Sequence, residues 1–214
     1  MMRAALDYCV VIPAYNAAQF VHDALVSFAQ QTLLPREIVV VDDGSRDSTA
    51  KVARRSSPVI AFLDADDEWM PGYAVQLSGA MHASGVVYGS TGIERFVLES
   101  CASIANLPEG SARDIRNDLL VNNLIVQSSA AVRRDVFCVS GGYDKAIHMA
   151  EDHDLWNRLA LLGSFAYVPA PTVSRRIHSG QITHGTVPLM IVAAWKIRRH
   201  GGGTVRAWRS ATKC

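Results

Sequence analysis

The chain has 214 residues, 49% of them apolar and 19% charged, with a formal net charge of +1. That length supports one sizeable core, and the near-neutral balance excludes the strong basic surplus of a nucleic-acid binder. No apolar run approaches the roughly 18 residues of a membrane span, and "MMRAALDYCVVIP" reads as a strand rather than a secretory leader, so the chain is expected in the cytoplasm.

The run "YCVVIPAYN" (8–16) is a buried-strand pattern stopped by Pro13. Residues 17–32 then place Phe20, Ala24, Leu25 and Phe28 at helical spacing. "EIVVVDDGS" (37–45) is a second β-branched run that ends in a turn, and 46–57 suits a short helix capped by Asp47 or Ser48. "VIAFLDADD" (59–67) is a third strand. Strands and helices alternating in this way, with continuous apolar strands, specify a parallel α/β sheet buried on both faces. "SGVVYGST" (84–91) predicts a fourth strand. Residues 92–123 are poorly patterned, an edge hairpin and then a helix from about Ala112; a strand at 125–132 leads to a short helix and a Gly-Gly turn. "MAEDHDLWNRLALLG" (149–163) is an amphipathic helix with Leu155, Leu159 and Leu162 in one stripe and Gly163 closing it. "FAYVPAPTVSRRIHSGQIT" (165–183) gives a strand and a loop, and the rest starts helical and breaks at a triple glycine. One domain is expected over 1–190, with a C-terminal helix and basic tail over 191–214. Cys9, Cys101, Cys138 and Cys214 are too scattered for a zinc knuckle or redox pair and read as small core hydrophobes and a tail thiol.

Ligands of open α/β sheets bind beyond the carboxyl ends of the strands. Here the first three strands end in Pro-Ala-Tyr-Asn, Asp-Asp-Gly-Ser and Asp-Ala-Asp-Asp, so their polar ends are expected to face one crevice. The third end gathers Asp64, Asp66, Asp67 and Glu68 within five positions. Like charges this close repel, and a buried strand end must neutralise them. Asp64 and Asp66 flank one small residue and can converge on an ion, and oxygen ligands suit Mg²⁺ or Mn²⁺. The same cluster also reads as an acidic turn whose Asp67 or Glu68 caps the next helix.

Taken in order, "VVIPAYN", "EIVVVDDGSRDST", "IAFLDADDEWMPG", "GGYD" and "AEDHDLWNRLALLG" resemble a family 2 glycosyltransferase over roughly residues 8–185. The resemblance implies the GT-A fold, a Rossmann-like three-layer α/β sandwich with a mostly parallel central sheet. It implies inverting transfer of a sugar from a nucleotide-diphosphate donor, with a UDP-sugar as the family expectation, to a saccharide or lipid-linked acceptor in surface polysaccharide or glycolipid assembly. Pro13, Ala14, Tyr15 and Asn16 resemble the loop flanking the donor nucleotide, and Asp42 and Asp43 the carboxylates that hold uracil and ribose. Asp64 and Asp66 match the family's D-x-D, which binds the divalent metal, and His178 resembles a late-loop histidine beside the diphosphate and metal. Asp152 resembles the catalytic base, with Glu151 orienting the acceptor and Trp156 offering an aromatic face to its sugar ring. Several of these residues also have plainer readings: Pro13 as a strand end, Asp43-Gly44 as a turn, Glu151 and Asp152 as favourable charges at a helix start, Trp156 as core. Arg175 and Arg176 read either as partners of phosphate or as solvated charges.

The resemblance also marks a departure. The family carries a further strand and helix between the Asp-Asp-Gly-Ser and Asp-x-Asp segments, and about 30 residues of that kind are missing here. The remaining connection, Asp43 to Ser57, still exceeds the dozen or so residues a parallel crossover needs. This shortening keeps a second class open, a non-catalytic nucleotide-sugar binding or partner protein descended from an enzyme. The tail "WKIRRHGGGTVRAWRS" mixes basic residues with tryptophans and is suited to an anionic membrane surface.

Overall fold

A computed structural model describes residues 6–42, 57–83, 87–96, 102–103, 114–119, 122–147 and 149–178. Strand β1 (Tyr8–Ala14) pairs in parallel with β2 (Glu37–Asp42) on one side and β3 (Val59–Phe62) on the other. The sheet continues through β4 (Glu68–Trp69), β5 (Val87–Phe96), β6 (Ala102–Ser103), β7 (Ala131–Arg133) and β8 (Phe165–Ile177), in the spatial order β2-β1-β3-β7-β5-β8-β4 with β6 beside β5. Its longest ladders, β5–β8 and β1–β2, are parallel, while β7 runs antiparallel to both β3 and β5.

Strand alternation sends successive side chains to opposite faces. Tyr8, Val10, Ile12 and Ala14 of β1, with Val59 and Ala61 of β3, pack against Ala24 and Phe28 of α1 (Val21–Ala29) and Tyr73 and Leu77 of α2 (Tyr73–Ala83). Cys9, Ile60 and Phe62 face the other way, onto Leu119 of α3 (Arg116–Leu119), Val136 and Phe137 of α4 (Arg134–Ser140), and Leu155, Trp156 and Leu159 of α5 (Glu151–Ala160). Two apolar layers enclose one sheet, and each large side chain so buried contributes about 1.5–3 kcal/mol.

Several sequence expectations need correction. The sheet is buried on both faces at β1 and β3 but not at β2, an edge strand whose Ile38 and Val41 are exposed. On α1 the buried face is Ala24, Ser27 and Phe28; Leu25 points outward. On α5 the stripe is His153, Leu155, Trp156 and Leu159, while Leu162 lies past the helix and is exposed. Residues 125–130 are not a strand. Ser129 Oγ–H donates to the Val126 carbonyl and Ser129 Oγ accepts from Ser90 N–H, so this backbone turns, with a 3₁₀ turn at Gln127–Ser129, and the strand starts at Ala131. Neither Asp67 nor Glu68 caps a helix, because α2 begins only at Tyr73. Cys9 is buried and free, whereas Cys138, expected as a lone core residue, is disulfide-bonded. The expected helix at 46–57 falls largely outside the described residues, as does the tail over 191–214. Among the described residues, no helix is long and apolar enough to cross a membrane.

One glycine bears directly on the site. A Cβ on Gly89 of β5 would lie 2.8–2.9 Å from three side-chain carbons of the buried Ile125. Only a bare backbone lets the 122–130 segment lie against the sheet at this point. Gly89→Ala is expected to destabilise the protein by about 1–3 kcal/mol, read by urea unfolding, and to displace the segment that carries Asn123 and Ser128.

Candidate active site

The carboxyl ends of β1, β2 and β3 lie together, with Ala14 opposite Asp42 in register and Asp64 two residues beyond the end of β3. After β1, Ala14 is buried, Pro13, Tyr15 and Asn16 are exposed, and Asn16 takes the left-handed conformation (φ 49°). The backbone of Asp42 ends β2 at this edge. Asp43 lies outside the described residues.

Beyond β3 the chain turns tightly, with Asp67 N–H donating to the Asp64 carbonyl at 3.0 Å. The four carboxylates of this turn have different fates. Glu68 accepts from Arg176 Nη2 at 2.7 Å. Asp67 is buried at 4% exposure and accepts from Ser128 Oγ–H at 2.5 Å and from Arg176 N–H at 3.1 Å. Asp66 Oδ2 lies 3.1 Å from His178 Nε2. Asp64 has neither kind of cation against it in the same way; its backbone N–H donates to Ser128 Oγ at 3.2 Å. Burial, then the charges of Asp67 and Asp66, push the Asp64 carboxyl up to about 8. Burial likewise raises Asp67 to about 6, against the hydrogen bond from Ser128. The fold itself therefore accommodates Glu68, Asp67 and Asp66, and the frustrated charge is concentrated at Asp64.

Among the described residues, no three acidic, histidine or cysteine side chains close around a common point. The donor set is two carboxylates one residue apart, with an imidazole against one of them. That set fits a hard cation that takes one or two carboxylates and completes its shell with phosphate oxygens. The raised Asp64 carboxyl is the observation behind this fit, since a nearby cation favours its charged form.

Across the crevice, α5 starts from Ala150, which has a positive φ of 58°. The exposed Glu151 and half-buried Asp152 follow in its first turn. Asp152 Oδ1 accepts from His153 N–H and Oδ2 from Asn123 Nδ2–H, both at 2.7 Å. The Asn123 amide is itself oriented, because its Oδ1 accepts from Ile125 N–H at 3.3 Å. Each carboxylate oxygen of Asp152 keeps a lone pair for a further proton. His153 turns inward and donates from Nε2 to the Leu119 carbonyl at 2.6 Å, tying α5 to α3. The charge of Asp152 is among those that raise Asp64, and both act on the half-buried Tyr143, whose hydroxyl accepts from Gln127 Nε2–H. The D-x-D turn and the start of α5 thus face each other, with Tyr143 between them.

Of the two readings of Trp156, the structure bears out the core one: it is fully buried and packs its ring 6.5 Å from that of Phe62, so it has no exposed face to offer a sugar. Arg176 is not a solvated charge; its side chain is 13% exposed and bridges Asp23 and Glu68. Asp154 pairs with Arg158 at 2.6 Å and is structural. Ser128, Asn123 and Tyr143 were not singled out from the sequence. Nothing periodic marks Ser128 or Asn123, and only the Gly-Gly-Tyr-Asp motif pointed near Tyr143.

The family model described as Glycosyl transferase family 2 matches residues 9–58. An uncharacterized glycosyltransferase of Haemophilus influenzae is 25% identical over 80% of this chain and 66% of its own length. Another, of Rickettsia prowazekii, is 22% identical over 82% of this chain and 65% of its own. The fold matches the crystal structure of S. aureus TarS in complex with UDP-GlcNAc with a TM-score of 0.66, at 14% identity, over 84% of this chain and 61% of that one. The chain is similar to family 2 glycosyltransferases, in sequence over residues 9–58 and at low identity over most of its length. Its sheet and layers are those of the GT-A fold, which the TarS likeness supports at the level of fold alone. It spans just under two thirds of the length of the first two relatives named. The succinoglycan biosynthesis protein ExoU of Rhizobium meliloti is 33% identical over a shorter stretch, 35% of this chain and 30% of its own. The chain places the D-x-D turn and the acidic start of α5 close together. The connection expected to be shortened, Asp43 to Ser57, lies mostly outside the described residues.

Proposed function

We propose that this chain is a metal-dependent, inverting glycosyltransferase that moves a sugar from a nucleoside-diphosphate donor to a saccharide or lipid-linked acceptor, in surface polysaccharide or glycolipid assembly. The observation that carries the reading is the juxtaposition of Asp64 and Asp152, two carboxylates of opposite duty facing one crevice. Tyr15, Asn16, Asp42 and Asp43 take the nucleoside, and a UDP-sugar is the donor favoured by the likeness to TarS, whose structures hold UDP-GlcNAc and UDP. Asp64, Asp66 and His178 would hold a Mg²⁺ or Mn²⁺ ion, which when bound supplies Lewis-acid stabilisation of the departing nucleoside diphosphate. Asp152 takes the proton from the acceptor hydroxyl as that oxygen attacks the anomeric carbon on the face opposite the diphosphate. Asn123 and His153 N–H hold both oxygens of Asp152 in place for that transfer. Glu151, exposed beside the base, is placed to orient the acceptor. The relationship to ExoU is in keeping with a polysaccharide product, and the basic tail is assigned to an anionic membrane surface.

Calorimetric titration of UDP tests the reading. Binding is expected with Mn²⁺ and is expected to be lost in EDTA. No binding of UDP, GDP or dTDP under either condition would overturn the donor site and leave the non-catalytic partner protein as the better description.

A further inference from the structure

Arg176, near the end of β8, and His178, just past it, both engage the acidic turn. Arg176 N–H donates to Asp67, its guanidinium donates to Glu68, and the His178 ring meets Asp66. The guanidinium does more than answer Glu68. The same Nη2 donates to Asp23 Oδ2 at 2.8 Å, on the first turn of α1 and 153 residues away in sequence. Its central carbon sits 5.1 Å from the centroid of the Phe20 ring, and that ring lies 4.6 Å from the His178 ring. One half-buried cation therefore joins α1, β4 and β8 directly beside the histidine. With two carboxylates within 3 Å, its charge is spent inside the protein rather than on a ligand's phosphates.

We infer that Arg176 is a positioning residue of the donor site: by clamping Asp23 and Glu68 across Phe20, it sets the end of β8 so that His178 reaches Asp66. His178 directly follows the last residue of β8, and its ring packs on the same Phe20 ring that the Arg176 guanidinium covers, so a constraint on Arg176 passes to His178. One guanidinium nitrogen, Nη2, serves both carboxylates while the flat group lies over the Phe20 ring, two contacts that an always-charged planar cation makes at once. The inference rests on the proposed reading of Asp64, Asp66 and His178 as the metal and diphosphate side of the site.

A double-mutant cycle on the full-length chain tests it, read by calorimetric titration of UDP with Mn²⁺ and with EDTA. His178→Ala and Arg176→Leu are each expected to weaken Mn²⁺-dependent UDP binding by about tenfold. The double variant is expected to show no further loss, because Arg176 acts through His178; a merely structural role would add its own loss to that of His178→Ala. Asp23→Asn lies on a different, half-exposed element and guards against a fold defect in Arg176→Leu. It is expected to reproduce a several-fold part of the loss while melting like the wild type. Additive losses in the double variant, or Asp23→Asn and Arg176→Leu proteins that bind like the wild type, overturn the inference. A wild type without Mn²⁺-dependent UDP binding overturns the donor-site reading itself and this inference with it, so the two failures are distinguishable.

Discussion

Asp152→Asn is expected to lower sugar transfer by about 10²–10⁴-fold while leaving UDP affinity within a factor of about two. The substitution keeps the size of the side chain and its place at the start of α5, but a neutral amide takes no proton from an acceptor hydroxyl. Asp152 is well suited to the task in this fold. It is half-buried, it faces the D-x-D turn, and both its oxygens are held at 2.7 Å by N–H donors from Asn123 and His153. Those donors fix its orientation without consuming its remaining lone pairs, and a displacement of about 1 Å at such a group costs roughly 10²-fold in rate. Asn123→Ala should accordingly reduce turnover with unchanged UDP binding, though by less than loss of the base. The measurement is single-turnover UDP release from a panel of UDP-sugars, alongside calorimetric UDP affinity. An Asp152→Asn protein with wild-type turnover would move the base elsewhere in the crevice.

Asp64→Asn is expected to act in opposite directions on stability and on binding. The Asp64 carboxyl has an ordinary value of 3.8 and is raised by burial and its acidic neighbours to about 8. Between those values the folded protein holds a proton that the unfolded chain has released, so stability without metal falls as pH rises through that window. Asparagine carries no such charge. In EDTA at pH 8 the variant should melt about 2–6 °C above the wild type, corresponding to ~1–2 kcal/mol. Near pH 4 the difference should vanish. The same substitution removes a carboxylate from the D-x-D pair and should abolish Mn²⁺-dependent UDP binding. A site that is frustrated when empty and relieved by its ligand trades stability for function in this way. Thermal melts across pH, with and without Mn²⁺, check both halves. A variant that melts lower at pH 8, or that still binds UDP through Mn²⁺, would show that Asp64 is an ordinary structural carboxyl.

What the sequence determined by itself was everything local and periodic. The β-branched runs at 8–12, 37–41 and 59–62 announce parallel strands, although only β1 and β3 are covered on both faces while β2 lies at the edge. Polar residues at their carboxyl ends announce the crevice, and the acidic start of α5 announces a carboxylate at a helix N-terminus. Those features depend on neighbours a few residues away; the three strands and the acidic start of α5 appear in the described structure, while the polar end after Asp42 lies outside it.

The structure alone decided how the charges are answered. Ser128 meets Asp67 across 61 residues, Arg176 meets Glu68 across 108 and Asp23 across 153, and Asn123 meets Asp152 across 29. Such pairings follow from which strands become neighbours, and a hydrogen-bonding side chain carries no periodic signal of its partner. The same reason explains the failures. Trp156 looked like a platform for a sugar because its residue type suits one, but the register of α5 turns it into the core. Arg176 looked like a partner for phosphate because of its charge, but β8 delivers it between two carboxylates of the protein itself. Residues 125–130 looked like a strand by composition, and the serine hydroxyls, which bond to backbone brought alongside at Ser90 of β5 and at Asp64 beyond β3, made them a turn.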